Sequence, residues 1–169
     1  ALLGVREGNL WVGTGAGLNR VRRSNLLVLG QNEGLGYGPV QGLAEVAPGV
    51  IWAGKPNDGL YRWDGRSFHR LPTAGLSRRY PEALSLLVTR DGNCWMNGTE
   101  GVWRFKDPKN PPGDVELAAL PRLNVTALAE ERDGGVWAGT KEGQVWRRRR
   151  GEWLARTNYW QSHPVTALL

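Results

Sequence analysis

The sequence predicts an all-β chain in which one small antiparallel sheet is repeated, and three observations carry that prediction. First, one run returns four times: REGNLWVGT (Arg6 to Thr14), APGVIWAGK (Ala47 to Lys55), RDGNCWMNGT (Arg90 to Thr99) and RDGGVWAGT (Arg132 to Thr140). Second, its tryptophans, Trp11, Trp52, Trp95 and Trp137, are spaced by 41, 43 and 42 residues. Third, 24 glycines and 10 prolines among 169 residues punctuate the chain as tight turns between short strands do. A Gly-Trp signature with a period of roughly 40–45 residues marks the blades of a β-propeller. The expected architecture is about four blades of four antiparallel strands, part of a larger, seven-blade-type propeller.

The fourth copy shows how one blade is built. Val125 to Ala129 is a short, mostly apolar run suited to an inner strand buried on both faces. Glu131 to Gly135 carries Asp-Gly, the hairpin signal between strands. Gly135 to Thr140 is the second strand, Lys141 to Gly143 a turn, Gln144 to Arg149 the third strand and Glu152 to Arg156 the outer fourth. The other copies follow the same plan. Their third strands begin after Gly17, Gly59, Gly101 and Gly143, each expected at positive φ, where a Cβ costs about 1 kcal/mol or more. The blades divide at about 1–38, 39–81, 82–122 and 123–164, with 165–169 starting another.

The repeated indoles read as packing between neighbouring blades, since a small sheet cannot bury its faces alone. On that reading Trp137→Ala costs about 3–5 kcal/mol through the cavity it leaves. The arginine that closes each third-strand triplet, Arg20, Arg62, Arg104 and Arg147, is expected to lay its stem over a neighbouring ring and keep its head wet. Cys94 stands where the other copies have Leu10, Ile51 and Val136, so it reads as a small buried apolar residue. Ala1 to Leu3 and Ala167 to Leu169 hold the same phase of the repeat and would compete for one place in a closed four-blade ring. The expectation is therefore a window from a longer array, whose partners are further blades of the same chain.

Composition excludes several classes. Hydrophobic residues are 40% and charged residues 22%, a globular balance. No run approaches the roughly 18 apolar residues of a membrane span, so a membrane is met only through other parts of the parent protein. No charged-then-apolar leader opens the chain, and any signal peptide is expected to be absent or removed. The single cysteine rules out an intrachain disulfide or a Cys-based metal cluster. Net charge is +6, but strand alternation sends Arg147 and Arg149 to one side of their sheet and Arg148 and Arg150 to the other. That scatter does not form the aromatic-interleaved basic face of a nucleic-acid binder, and no nucleic-acid partner is expected.

The repeats resemble the two-component regulator propeller repeat across nearly the whole chain. The matching text is NLWVGTGAGLNRV (Asn9 to Val21), GLSRRYPEALSLLVTRDGNCWMNGTEGVWRF (Gly75 to Phe105) and VTALAEERDGGVWAGTKEGQVWR (Val125 to Arg147), with the Gly34-Leu35 and Gly75-Leu76 pairs before inner strands. Pro48, the Lys55-Pro56-Asn57-Asp58 turn, Asn97 and the proline-rich loop from Asp107 to Pro112 depart from the pattern, and all are read as turn changes. The resemblance implies a periplasmic or extracytoplasmic sensing part of a bacterial inner-membrane regulator. Its output would be a histidine kinase or a cyclic-dinucleotide synthase, and its ligand class oligosaccharides.

Catalytic chemistry finds little support in the residues. His69 reads as an exposed strand residue, and two distant histidines with one buried cysteine make no metal site, cofactor site or nucleophilic triad. Asp91 and Asp133 recur with Glu7 because the Asp-Gly turn recurs, one per blade. A binding face can be placed where the loops entering inner strands meet the turns joining strands two and three. There stand Tyr37, then Arg78, Arg79 and Tyr80, then Tyr159 and Trp160 with His163. Aromatic rings stack on sugar faces and arginines pair with carboxylates or sulfates, so the partner expected is an oligosaccharide, of which an acidic one fits the arginines. The alternatives are a propeller-scaffold enzyme, a lyase or glycosidase, and a scaffold for protein partners.

Overall fold

The computed structural model describes residues 1–4, 9–21, 26–72, 85–98, 101–109, 115–118, 120, 123–156 and 163–168. These form four separate four-stranded sheets, each an antiparallel meander in chain order. The first holds β1 (Leu2–Gly4), β2 (Leu10–Thr14), β3 (Gly17–Val21) and β4 (Leu26–Leu29). The second holds β5 (Gly42–Ala47), β6 (Val50–Lys55), β7 (Gly59–Trp63) and β8 (Phe68–Arg70). The third holds β9 (Leu86–Val88), β10 (Cys94–Gly98), β11 (Gly101–Phe105) and β12 (Val115–Ala118). The fourth holds β13 (Val125–Glu130), β14 (Val136–Thr140), β15 (Val145–Arg149) and β16 (Glu152–Ala155). This is the blade sheet of a partial β-propeller. The chain divides into two compact units, residues 1–84 with 109–112, and 85–108 with 113–169, so each unit carries two sheets.

The turns follow from the residues that occupy them. Gly92 and Gly134, in the Asp-Gly turns, have φ of 82° and 84°, and Gly17, Gly59, Gly101 and Gly143 all take positive φ before or at the start of third strands. Asp91 Oδ1 accepts from the Thr89 hydroxyl at 2.6 Å and from the Asn93 amide at 3.2 Å, which closes the turn on itself. Asp133 does the same with the Gly135 amide at 3.0 Å.

Within each unit the first sheet's tryptophan packs onto the outer strands of the second. Trp11 meets Trp63 edge-to-face with centroids 6.0 Å apart, and Trp63 meets Phe68 at 4.9 Å. Trp95 meets Trp153 edge-to-face at 6.5 Å. Each such pair adds about 0.5–1.5 kcal/mol to the area it buries. Trp11, Trp52 and Trp95 are buried, as the wedge role requires, but Trp137 is only half-buried. The expectation of a full cavity cost at Trp137 is corrected accordingly. A ring that is only partly buried leaves a smaller hole when it is cut back.

The glycine two residues after the tryptophan has its own reason. A Cβ on Gly13 would sit 2.9 Å from the Val40 carbonyl oxygen and 3.0 Å from Val40 Cβ, so the next inner strand approaches the bare backbone. Gly139 faces Val165 in the same way, and the Val165 amide donates to the Thr140 carbonyl just as the Val40 amide donates to that of Thr14. Asn97 occupies this position in the third sheet. It lies within β10 and is fully buried, which corrects its reading as a turn change.

Candidate functional site

Of the residues expected on the binding face, Tyr37 and His163 are described and both are exposed. Tyr37 belongs to the first unit and His163 to the second. Arg78, Arg79, Tyr80, Tyr159 and Trp160 lie outside the described residues. The premise that entering loops share a face with the strand-two-to-three turns holds in the fourth sheet. There the Asn124 side chain donates to Glu142 at 2.8 Å and the Lys141 amide donates to the Asn124 carbonyl at 2.8 Å.

Tyr37 stands on a loop whose backbone is held from below by a residue that sequence reasoning treated as part of a turn. Lys55 takes the place of Thr14 and Thr140, whose hydroxyls close their own turns. Its ammonium donates to the carbonyls of Leu35 at 2.8 Å and Tyr37 at 2.5 Å and to Asp58 Oδ2 at 2.7 Å, and the side chain is 1% exposed. Three donors thus meet three acceptors, the condition under which a buried ammonium is tolerable. The Tyr61 hydroxyl donates to the same Asp58 oxygen at 3.0 Å. Burial acts to raise the Asp58 carboxyl, but the bonds from Lys55 and Tyr61 outweigh it and hold it below the usual carboxylate range. The signal in the sequence was a lysine where the repeat places a small hydroxyl. The tyrosine ring itself is 85% exposed on this anchored backbone, a presented aromatic surface.

The repeated arginines lie over rings as read, but their heads are not kept wet, since the Nε atoms of Arg20, Arg62, Arg104 and Arg147 are buried. Arg20, Arg104 and Arg147 stand over Trp11, Trp95 and Trp137 with guanidinium carbons 5.5, 5.4 and 5.5 Å from the ring centroids. Arg62 is directly opposite Trp52 in the ladder. Arg147 also pairs with Glu131 at 2.6 Å and Asp133 at 2.8 Å, and Arg149 shares Asp133 at 3.4 Å, so these two arginines do lie on one side of β15. Arg148 points to the other side, where it stands 5.0 Å over Trp95 of the preceding sheet. Between the third and fourth sheets lies a cavity of about 320 Å³, lined by Asp91, Trp95, Arg104, Val136 and Arg148 among others.

His69, Asp64 and Ser67 come together at an exposed turn, but as a turn and not a relay. Both Asp64 Oδ2, at 2.8 Å, and Ser67 Oγ, at 3.0 Å, contact the same ring nitrogen, Nε2. A triad needs one nitrogen for each partner. Asp64 is held far below the usual range by the amides of Ser67 and Arg66, and then by His69. Among the described residues no three His, Cys, Asp or Glu side chains are grouped to hold a metal ion. Nor is any described helix long and apolar enough to cross a membrane.

No family model matches the chain, and no curated protein matches it in sequence. Solved structures do match its fold. The extracellular domain of BT4673 from B. thetaiotaomicron, assigned as a hybrid two-component system, superposes with a TM-score of 0.78 at 18% identity, covering 98% of this chain and 24% of that one. The corresponding domain of BT3049, from the same organism and similarly assigned, superposes with a TM-score of 0.73 at 14% identity, covering 96% and 22%. An inactive variant of virginiamycin B lyase from Staphylococcus aureus, solved with quinupristin, gives a TM-score of 0.76 at 15% identity, covering 98% and 57%. The chain spans about a quarter of the two-component domains and somewhat over half of the lyase.

Proposed function

We propose that this chain is a ligand-sensing propeller segment of an extracytoplasmic regulator domain, of the kind found in bacterial two-component systems, and that it recognises a carbohydrate. The observation that carries this reading is the fit of nearly the whole chain, as four blade sheets, onto the extracellular domain of a two-component system. Supporting it locally is Tyr37, an exposed ring whose backbone is anchored by a buried lysine, a rigid stacking surface of the type that sugars use. The parent protein would hold further blades, a membrane connection and an output module such as a histidine kinase.

The lyase likeness supports the same scaffold. What favours the sensor over an enzyme is the site chemistry: the His69 cluster is wired as a turn, and Cys94 is sealed in the core with its thiol pushed far up by burial.

The test is titration of the chain with neutral and uronate-containing oligosaccharides, followed by tryptophan fluorescence and calorimetry. A saturable response that weakens in Tyr37→Ala, with the melting temperature unchanged, supports the reading. No response to any sugar, or a response that Tyr37→Ala leaves intact, overturns carbohydrate recognition at this loop.

A further inference from the structure

The repeat provides its own control for the position after the stacking arginine. In the second and third sheets it holds Trp63 and Phe105, both buried. Trp63 lies across from Ile51 and Phe68, and Phe105 across from Cys94 and Val115. In the fourth sheet it holds Arg148, across from Val136 and Trp153 in the same register. The position that in the second sheet presents Trp63 to Trp11 of the preceding sheet here presents a guanidinium, with 14% of its side chain exposed.

That charge is poorly compensated. Its carboxylate neighbour is Glu116 at 3.5 Å, and Glu116 is shared with Arg104 at 3.8 Å and Lys106 at 3.9 Å. One carboxylate therefore faces three cations. Asp91 is 3.7 Å from Arg104 but already accepts from Thr89 and Asn93. Asp133 is taken by Arg147 and Arg149. At these separations the ion pairs are not hydrogen bonds, and the Nε–H groups of both Arg104 and Arg148 are buried without a hydrogen-bond partner among the described residues. Both guanidiniums stand over the one Trp95 ring, at 5.4 and 5.0 Å, and both line the cavity between the sheets. Arg149 and Arg150 also line it, so four guanidiniums face the two carboxylates of Asp91 and Asp133 there.

We propose that this cleft is an anion site, in which Arg104 and Arg148 hold the oxyanion of a small molecule, a carboxylate or sulfate group. Guanidiniums pair with such planar or tetrahedral oxyanions through their N–H groups, and the bound charge would relieve the repulsion between them. At about 320 Å³ the cavity is at the small end of ligand sites, with room for one ring or a free ion. The site lies wholly in the second unit and does not depend on the Tyr37 loop or on the sensor reading.

The experiment follows the arginine Nε–Hε signals of the intact chain by NMR during titration with inorganic sulfate, glucuronate and glucose, at about 0.15 M background chloride. Saturable shifts of the Arg104 and Arg148 signals are expected with the anions and none with glucose. Binding of both anions identifies a general oxyanion site, and binding of glucuronate alone identifies an acidic sugar. Arg148→Phe, which repeats the Phe105 side chain, is expected to keep the fold and weaken anion binding by about tenfold or more. Arg104→Gln provides the same readout should Arg148→Phe not fold. Absence of saturable shifts with both anions, or equal affinity in the folded variant, overturns the proposal.

Discussion

The side-chain amide of Asn97 donates to the backbone carbonyl of Val125, joining β10 to the start of β13 across 28 residues of sequence. The other end of the same side chain accepts the Ser85 amide. In the first and fourth sheets the equivalent residue is Gly13 or Gly139, and a valine packs directly against its backbone. Asn97 replaces that contact with hydrogen bonds in a fully buried place. Asn97→Leu should therefore remove a partner from one buried carbonyl and one partly buried amide and cost about 2–5 kcal/mol. Asn97→Gly, which leaves room for water, should cost less. Urea unfolding midpoints of the two variants measure the difference, and equal midpoints would show that the bonds contribute nothing.

Lys55→Met should destabilise the chain by about 3–5 kcal/mol, because it strands the carbonyls of Leu35 and Tyr37 and leaves Asp58 only the more distant Arg70, at 3.9 Å. The same network predicts a pH dependence. The Asp58 carboxyl is held below its ordinary value in the folded chain, so its contribution is fully present above about pH 4. It is lost as pH falls through the lower folded value, where the carboxyl takes up a proton and releases Lys55. Thermal melts from pH 7 to pH 2 should show an acid limb attributable to this pair, and Asp58→Asn should flatten it.

The four tryptophans should not be equivalent. Trp95→Ala removes a buried ring that contacts Trp153 and two guanidiniums and should cost about 3–5 kcal/mol. Trp137→Ala removes a half-buried ring that keeps one hydrogen bond, to Glu131 at 3.0 Å, and should cost about 1–2 kcal/mol. Fluorescence quenching by acrylamide should likewise reach Trp137 before Trp95.

Cys94 should be silent toward Ellman's reagent until the chain unfolds. Its side chain is fully buried, and burial pushes the thiol well above the range in which it ionises. Cys94→Val should be tolerated, since Val136 fills the same position in the fourth sheet. Rapid native-state labelling would show that β10 opens locally.

Much of this architecture was legible in residue order. The spacing of Trp11, Trp52, Trp95 and Trp137 identified the sheet count, because a repeated sheet places its wedge ring at a constant phase. The glycines at positive φ and the Asp-Gly pairs marked the turns, since those backbone conformations admit few other residues. Arg20, Arg104 and Arg147 could be expected to lie over a neighbouring ring, but strand register decided that the ring is the tryptophan directly opposite.

What the sequence by itself determined is thus local and periodic: strand, turn and repeat phase. Tertiary structure alone decided the roles of Lys55, Asn97 and Arg148. Each departs from its repeat, and a departure in a one-dimensional pattern looks the same whether it is tolerated at a surface or built into a contact. Lys55 acquires its meaning from two carbonyls in a loop before its own sheet, Asn97 from a carbonyl in the following sheet, and Arg148 from a ring in the preceding one. Those contacts join residues far apart in sequence, and the geometry of sheet against sheet, which no short-range pattern encodes, brings them within reach.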